Sequence, residues 1–217
     1  MKKSLRSQKQ DLVRDAIHTA AIDLFTAKGF DETTVEEIAQ SAGVSRRSFF
    51  RYFASKDDLL AQNVLDYGAA LAEAVQQCPR GLTPLEVLHR TVSAGVHYTE
   101  LRQELTRKVI EIASRSPSAR QAHLSRMTVV EDNLAEAFAG RTKNARRDDM
   151  EPRLLSGMTI AIMNAALASW FMQARRELAV CAKQVFAVLS RTLVEPDRVA
   201  PKGASVPQRK PAHKSAV

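Results

Sequence analysis

The sequence predicts an all-α protein, with a short helix-turn-helix unit near the N-terminus and a longer helical domain after it. The 217 residues include only eight glycines and 6% aromatic residues, beside abundant Ala, Leu, Arg and Glu. This composition favours helices. Apolar residues also recur at spacings of three and four, as they do on one face of an α-helix. The hydrophobic share of 45% is enough for a sizeable core, and the length allows one or two domains.

The first predicted helix spans about residues 10–28 and ends at Gly29. Its inner face is formed by apolar residues at helical spacing: Val13, Ala16, Ile17, Ala20, Ala21, Leu24 and Phe25. Residues 1–10 carry four bases and no acid before Asp11, which is typical of a flexible basic arm. Such an arm is either a solvated terminus or a contact with nucleic acid.

Two short helices joined by a tight turn are predicted for residues 33–53. Either of two pairs has the spacing of a capping box at the start of the first helix, Thr33 with Glu36 or Thr34 with Glu37. Gly43 provides the left-handed backbone position that ends this helix. Its apolar face consists of Val35, Ile38, Ala39 and Ala42.

The second of these helices has an apolar inner side and a basic outer side. Ser45 is a suitable N-cap, and Phe49 and Phe53 point inward. The outer side carries Arg46, Arg47, Ser48, Arg51 and Tyr52. Guanidinium, hydroxyl and phenol groups on one face suit the major groove of DNA. The alternative is an ordinary helical hairpin with a solvated basic face.

The flanking residues favour the DNA-binding interpretation. Residues 20–30 read Ala-Ala-x-x-Leu-Phe-x-x-x-Gly-Phe, residues 33–45 read Thr-Thr-Val-x-x-Ile-Ala-x-x-Ala-Gly-Val-Ser, and residues 52–60 read Tyr-Phe-x-Ser-Lys-x-x-Leu-Leu. In these separated positions the chain resembles the TetR family of bacterial transcriptional regulators, over about residues 11–71. Residues 48–53, Ser-Phe-Phe-Arg-Tyr-Phe, further resemble a subgroup of acyl-CoA-responsive and mycofactocin-type regulators.

The resemblance implies a set of DNA contacts. Phosphate contacts fall on Thr34 and Lys56, and Tyr52 contacts the backbone or a base. Base-reading positions fall on Arg46, Arg47, Ser48 and Arg51, and Ser45 at the start of the same helix completes the set. Phe50 departs from the pattern, because the family usually has a tyrosine there whose hydroxyl contacts phosphate, and phenylalanine lacks this hydroxyl.

Net charge alone is weak evidence for DNA binding. The whole chain carries +8, but residues 1–60 contain ten Lys or Arg against nine Asp or Glu. What matters is the placement of the charges. The acids lie mostly on the first helix and at helix starts, where the helix dipole favours them. The bases cluster on the predicted DNA side.

The fourth predicted helix runs from Ser55, its N-cap, to about residue 77. The family resemblance makes it the link between the DNA-binding domain, residues 11–71, and a ligand-binding and dimerisation domain, residues 72–195. The sequence Cys78-Pro79-Arg80-Gly81 ends this helix. Further helices are predicted from Thr83–Pro84 to about residue 101, over 105–113, and over 117–139. A polar surface loop follows over residues 140–149.

The last two predicted helices indicate a homodimer. The helix over 150–176 is apolar nearly all round, so it has to be buried on more than one side. A helix that packs on its own domain and on a second subunit meets this condition. In the family, this helix and the one over 178–193 build a four-helix dimer interface. Residues 196–217, rich in Pro, Lys, Ser and Ala, predict a disordered basic tail.

The resemblance also implies a pocket for a small effector in the second domain. The subgroup resemblance suggests that this effector is a fatty acyl-CoA or another hydrophobic molecule. Pockets are mostly apolar with a few polar groups. Residues that could line one are Tyr67, His97, Tyr98, Met127, Met163, Trp170 and Phe171. The same residues are equally suited to a plain core.

Other functions have little support in the sequence. Cys78 and Cys181 lack metal-site spacing and are expected to be reduced thiols of a cytoplasmic protein, with a redox sensor as the alternative. His89 and His97 are about 12 Å apart along a helix, too far to share a metal. The sequence contains no nucleophile elbow and no glycine-rich phosphate loop, so neither an enzyme nor a cofactor is expected. No export signal or membrane span is expected either.

Three interpretations remain open from sequence. The chain is a ligand-responsive dimeric repressor of a palindromic operator, an effector-independent DNA-binding regulator or activator, or an enzyme or interaction module that uses the hairpin as a scaffold.

Overall fold

The computed structural model describes residues 5–173 and 176–194. Within them the chain forms ten helices and no strand, which confirms the all-α prediction. The helices are α1 Leu5–Lys28, α2 Val35–Ser41, α3 Arg46–Tyr52, α4 Lys56–Gln77, α5 Pro84–Glu100, α6 Gln103–Arg115, α7 Pro117–Leu124, α8 Met127–Ala139, α9 Met150–Met172 and α10 Leu178–Val194.

The first hydrophobic cluster holds α1, α2, α3 and the start of α4 together. Ile17, Ile38, Phe49 and Leu59 are fully buried at its centre, and Phe53 is 3% exposed. The cluster also takes in residues of the second domain from α6 and α7: Val109, Ile112, Ala119 and Ala122. The DNA-binding unit therefore shares its core with the domain that follows.

Helix α4 lies at the centre of the molecule and packs against α5, α7 and α8. Two glycines allow close approach of neighbouring helices: a Cβ on Gly68 would lie 2.6 Å from both Cγ atoms of Val130, and one on Gly95 would lie 2.8 Å from Leu71 Cδ2. The C-terminus of α4 is fixed by Arg141, whose guanidinium donates to the carbonyl oxygens of Val75, Cys78 and Pro79 at 2.7–3.1 Å. The predicted polar loop thus caps a helix.

A second cluster joins α5, α9 and α10 around Leu88, Met163, Trp170 and Leu178. The remaining side of these helices is apolar but uncovered. On α9, Leu154 is 58% exposed, and on α10 Val188 is 51% exposed. Small residues of α9 continue this exposed side: Ala161, Ala165 and Ala168. We call the outer side of α9 and α10 the uncovered face.

Three predicted boundaries are wrong. Helix α1 begins at Leu5, so residues 5–10 of the predicted flexible arm are helical. Residues 117–139 form two helices, because α7 packs on α6 and α4 whereas α8 packs on α4 and α9. The chain changes direction at Ser125, whose N–H and hydroxyl both bond the carbonyl oxygen of Ala122. Helix α9 ends at Met172 instead of about residue 176.

Two assignments of individual side chains also change. Ala16, predicted on the inner face of the first helix, is exposed, and Ile22 is buried in its place. Leu85, Leu101 and Leu154 are exposed, although each was counted among the regularly spaced apolar residues of its helix. Residues 1–4 of the predicted arm and residues 196–217 of the predicted tail lie outside the described residues.

No membrane span is expected from the sequence, and helix α9 is long and apolar enough to cross a membrane by length and composition only, a test that the core helix of a soluble protein also passes. Helix α9 has an 18-residue window with a mean hydropathy of 1.5, of which 33% is buried. This combination is typical of a helix with one covered side and one apolar side left open.

Cys78 and Cys181 are both buried and unpaired, and they lie in different hydrophobic clusters.

Candidate DNA interface and effector cavity

The structure decides between the two possible capping boxes at the start of α2. Thr34 is the N-cap: its hydroxyl oxygen accepts from the Glu37 N–H, and the Glu37 carboxylate accepts from the Thr34 N–H at 2.9 Å. Thr33 is buried and donates to the carbonyl oxygen of Gly29 at 2.6 Å. Lys28 at the end of α1 also bonds the Glu37 carboxylate. These bonds, led by the one from Lys28, lower the pKa of Glu37 to about 2.

The turn between α2 and α3 is a Schellman motif. The Val44 N–H bonds the carbonyl oxygen of Ala39, and the Gly43 N–H bonds that of Gln40. Gly43 has a φ of +66°, a conformation that glycine adopts without a Cβ clash. Ser45 then caps α3 by accepting from the Ser48 N–H at 3.1 Å. The predicted cap residues therefore set the direction of α3.

The outer side of α3 brings together the residues predicted to read DNA. Arg46, Arg47 and Arg51 are exposed, while Ser48 and Tyr52 are half-buried. Arg46 pairs with Glu36 of α2 at 3.0 Å, and Arg51 lies 5.0 Å from the centre of the Tyr52 ring. Five predicted contacts thus share one helix face, with Ser45 at its start.

Phe50 lies beside these residues and is 45% exposed. The Arg46 guanidinium lies 5.5 Å from the centre of its ring. The exposed ring occupies the position at which the sequence pattern leads one to expect a tyrosine. It offers an apolar surface and no donor.

Lys56 is held within the protein. Its ammonium donates to the carbonyl oxygens of Phe30, Asp31 and Thr33 at 2.7, 3.1 and 3.1 Å. An ammonium has three N–H donors, so all of them are used. The phosphate contact predicted for Lys56 would require some of these bonds to break.

Polar contacts connect the DNA-binding unit to α6, α7 and α8. The Ser116 hydroxyl donates to Asp31 at 2.6 Å, which is the main reason why the pKa of Asp31 lies below its usual value. Lys108 bonds Asp23 at 3.0 Å, and Arg126 pairs with Asp58 at 3.3 Å. Together with the shared core, these contacts fix the orientation of the DNA-binding unit against the second domain.

A mostly apolar cavity of about 120 Å³ lies among α4, α5, α6, α7, α8 and α9. It has polar groups at Asn63, Tyr67, Tyr98, Thr106, His123 and Asn164, and Arg102 lies at its edge. Its apolar wall consists of Val64, Leu71, Leu105, Val109, Ile110, Met127, Val130, Ile160, Met163 and Leu167.

Two buried polar atoms in the cavity wall, Tyr67 Oη and His123 Nδ1, have no hydrogen-bond partner among the described residues. Burial, with a smaller contribution from Tyr98, raises the pKa of Tyr67. Burial lowers the pKa of His123. Both groups are therefore neutral near pH 7.

Four of the seven predicted pocket residues lie at the cavity: Tyr67, Tyr98, Met127 and Met163. The other three do not. His97 is exposed, because one residue along a helix turns the side chain about 100° from Tyr98. Trp170 is buried near the end of α9 beneath the Arg107 guanidinium, 3.9 Å from the ring centre. Phe171 is half-buried beyond it.

His123, Asn63 and Arg102 also line the cavity, although the sequence pattern does not predict them there. The neighbours of His123 at the cavity come from other helices, so no spacing in the sequence marks it as a cavity residue. His89 is exposed, and its ring centre lies 5.0 Å from that of Phe186. In the part of the chain that the structure describes, no three His, Cys, Asp or Glu side chains are grouped to hold a metal ion.

Two family models match the chain. Residues 17–62 match the model described as bacterial regulatory proteins, tetR family. Residues 82–194, from before α5 to the end of α10, match the model of the MftR C-terminal domain.

Individual proteins are similar along most of the chain. The transcriptional regulator TcmR of Streptomyces glaucescens is 30% identical over 180 residues, 80% of each chain. The mycofactocin biosynthesis regulator MftR of Mycobacterium tuberculosis, itself assigned as putative, is 25% identical over 154 residues, 71% of this chain and 77% of that one. Among solved structures, Thermus thermophilus FadR in complex with lauroyl-CoA is 26% identical, with a TM-score of 0.51, over 88% of this chain and 100% of that one.

Proposed function

The chain belongs to the TetR family of bacterial transcriptional regulators, and on this premise we propose that it is a homodimeric repressor that binds an inverted-repeat operator and is released by a small hydrophobic effector. It is a DNA-binding regulator and not an enzyme, as the family and the relatives are. It acts in the cytoplasm, where the chromosomal operator lies.

One observation carries the proposal: α4 joins the DNA-binding core to the cavity as a single uninterrupted helix. Leu59 and Leu60, near its start, are fully buried in the first hydrophobic cluster. Tyr67 and Leu71, two to three turns later, line the cavity. A molecule that shifts α4 at the cavity therefore shifts the packing under α3.

Side chains at the cavity also contact the DNA-binding unit directly. Asn63 lines the cavity and hydrogen-bonds His18 of α1, which opposes the lowering of the His18 pKa by burial. Val109 of α6 lines the cavity and belongs to the first hydrophobic cluster. Effector binding and the position of α1 are thus coupled through shared residues.

The uncovered face supports dimerisation. An exposed stripe of Leu154, Ala161, Ala165 and Ala168 runs along α9, and Val188 extends it on α10. Exposed contiguous apolar surface marks an interaction site. Because the operator of a symmetric dimer has two half-sites, the two α3 helices would enter successive major grooves about 34 Å apart. A ligand that favours another dimer geometry lowers operator affinity by its preference for that geometry.

A small hydrophobic effector suits the apolar wall of the cavity. Support for a fatty acyl-CoA comes from the similarity to the FadR that was solved with lauroyl-CoA. The cavity volume of about 120 Å³ is below the roughly 300–1,000 Å³ of typical ligand pockets. A long acyl chain therefore requires the surrounding helices to move apart, which is itself a means of changing the dimer geometry.

The proposal is tested by selecting operators from genomic DNA. Purified protein is incubated with sheared DNA of its own genome at near-physiological salt, and the retained fragments are sequenced. We expect a few sites that share an inverted repeat. The double variant R47A/R51A serves as control and should retain none of them selectively. Even retention over the genome indicates only salt-sensitive, non-specific binding and contradicts the proposal.

A further inference from the structure

The Tyr67 hydroxyl and the His123 imidazole are two polar groups in the wall of the mostly apolar cavity. They come from different helices, α4 and α7, and both line the cavity. Neither Tyr67 Oη nor His123 Nδ1 has a hydrogen-bond partner in the described chain. Unpartnered buried polar atoms are unfavourable in a folded protein, so a pair of them in one cavity indicates that a bound molecule completes their bonding.

Two other polar side chains at the cavity already hydrogen-bond within the protein. The Thr99 hydroxyl donates to the carbonyl oxygen of Gly95 at 2.9 Å, and the Asn63 amide donates to that of Leu60 at 3.1 Å. The Tyr67 hydroxyl itself is close to Gly95, where an added Cβ would lie 2.8 Å from Oη. The absence of a side chain at Gly95 leaves the phenol tip room without giving it a partner.

The charge of the site limits the ligand. Burial keeps Tyr67 protonated and His123 neutral, as the directions of their pKa shifts indicate. Among the described residues, Arg102 is the one cationic side chain at the cavity; it is exposed at the cavity edge, and its guanidinium lies 4.1 Å from the centre of the Tyr98 ring. A charged group deep in this apolar chamber would lose its hydration without a counter-charge. The inner part of the ligand is therefore uncharged.

The volume of the cavity limits the size of the ligand. Its volume of about 120 Å³ is comparable to that of an engineered apolar cavity of about 150 Å³ that binds benzene. A molecule with a single ring fills such a space. Its oxygen has to bond a phenol and a neutral imidazole, and a hydroxyl or carbonyl oxygen does so.

We infer that the effector is an uncharged, ring-sized apolar compound that carries a hydroxyl or carbonyl group, such as a simple phenol or aryl ketone, and that Tyr67 and His123 are the residues that hold its oxygen. This inference rests on the proposed function, since it names the chemical class of the effector. A carboxylate and an acyl-CoA are the competing classes.

The test compares matched probes by calorimetry on the full-length dimer: p-cresol and acetophenone against toluene, benzoate and lauroyl-CoA. Toluene has the ring of p-cresol without its oxygen, and benzoate adds a charge. We expect p-cresol or acetophenone to bind at least about tenfold more tightly than toluene, the effect of one or two buried hydrogen bonds, and benzoate to bind more weakly. The same probes are added to the protein–operator complex to measure release.

Three variants identify the binding residues. Tyr67→Phe and His123→Leu should each reduce the affinity for p-cresol about fivefold to tenfold and leave that for toluene unchanged. Tyr98→Phe is the control, because it removes a hydroxyl from the same cavity that is not one of the unpartnered atoms. Tyr67→Phe also deletes an unpartnered buried group, so the unliganded variant should unfold at the same or a higher temperature.

Each other outcome overturns the inference. Equal affinities for toluene and p-cresol would mean that the polar pair holds buried water only. Tighter binding of benzoate would indicate an anionic effector. Operator release by lauroyl-CoA without binding of either oxygenated ring would overturn the inference while supporting the proposed function. Failure to select any operator from genomic DNA is the separate result that removes the proposed function itself.

Discussion

Lys56 Nζ, at the start of α4, lies 2.7 Å from the carbonyl oxygen of Phe30 and 4.6 Å from the centre of its ring. The same ammonium also donates to the carbonyl oxygens of Asp31 and Thr33. It therefore closes the loop between α1 and α2 just before Thr34, the N-cap of α2. Lys56, which was expected to bind phosphate, instead stabilises the DNA-binding unit in this structure.

Lys56→Met should lower the stability of the protein with little effect on its phosphate contacts. The substitution keeps an unbranched side chain but removes three donors, which we expect to cost about 1–3 kcal/mol of unfolding free energy. Urea denaturation measures this loss. The dependence of operator affinity on salt should keep its slope, whereas loss of a phosphate contact reduces that slope by about one. Unchanged stability with a reduced slope would restore the phosphate role.

Arg47→Ala and Arg51→Ala should each weaken specific operator binding by about 1–3 kcal/mol, because each removes an exposed guanidinium on α3 that we propose contacts a base. Arg47 forms no ion pair in the part of the chain described, so its loss should leave folding intact. Arg90→Ala, at an exposed base on α5, is the matched control. Fluorescence anisotropy with the selected operator measures the effect. If both variants bind as tightly as the parent, the assignment of α3 is wrong.

Leu154→Lys should convert the dimer to a monomer. Leu154 is 58% exposed on the uncovered face of α9, and a dimer that buries this position would have to bury the added charge. Light scattering after gel filtration measures the mass. Leu85→Lys, at a 63% exposed leucine of α5 outside that face, should leave the dimer intact. A dimeric Leu154→Lys variant would place the subunit contact elsewhere.

Gly68→Ala should destabilise the contact between α4 and α8 by about 1–3 kcal/mol, because the new Cβ overlaps the Cγ atoms of Val130. Chemical denaturation measures the loss. In the double variant with Val130→Ala, the overlap is gone and the two costs should be less than additive. Additive costs would show that α4 and α8 adjust to the larger residue independently of Val130.

Glu37 should make the free energy of unfolding decrease as the pH falls below about 5. Its pKa is lowered from 4.5 to about 2 by the bonds from Lys28 and Thr34. A carboxylate with a lowered folded-state pKa stabilises the fold above its unfolded pKa of 4.5, and the effect is lost as the pH falls toward 2. The difference in stability between the parent and Glu37→Gln should thus be constant above about pH 5 and shrink below it. A difference that does not vary between pH 5 and 2 contradicts this assignment.

Local features of the DNA-binding unit could be predicted because they depend on neighbours in sequence. Capping boxes, the Schellman glycine at Gly43 and the inward pair Phe49 and Phe53 involve residues at most six positions apart. Even there the sequence left two capping boxes possible. In the structure Thr34 and Glu37 form the box, while Thr33 bonds the carbonyl oxygen of Gly29 and Glu36 pairs with Arg46 of α3.

The cavity could be predicted only in part. Helical spacing does not say which side of an apolar helix meets a chamber and which meets a packed core, so Trp170 and Met163 looked alike in the sequence. In the structure Met163 faces the cavity and Trp170 is covered by Arg107. His123 could not be predicted as a cavity residue, because the other residues of the cavity wall, Tyr67 among them, are on other helices.

The sequence by itself determined the all-α fold, the helix-turn-helix and the apolar character of α9, because caps, turns and periodicity are short-range properties. Only the tertiary structure decided that Lys56 is bonded inward, that the first core extends into α6 and α7, and that Tyr67 and His123 lie unpartnered in one cavity. These facts depend on how distant helices pack against each other. Packing brings together side chains whose separation along the chain carries no signal of their contact.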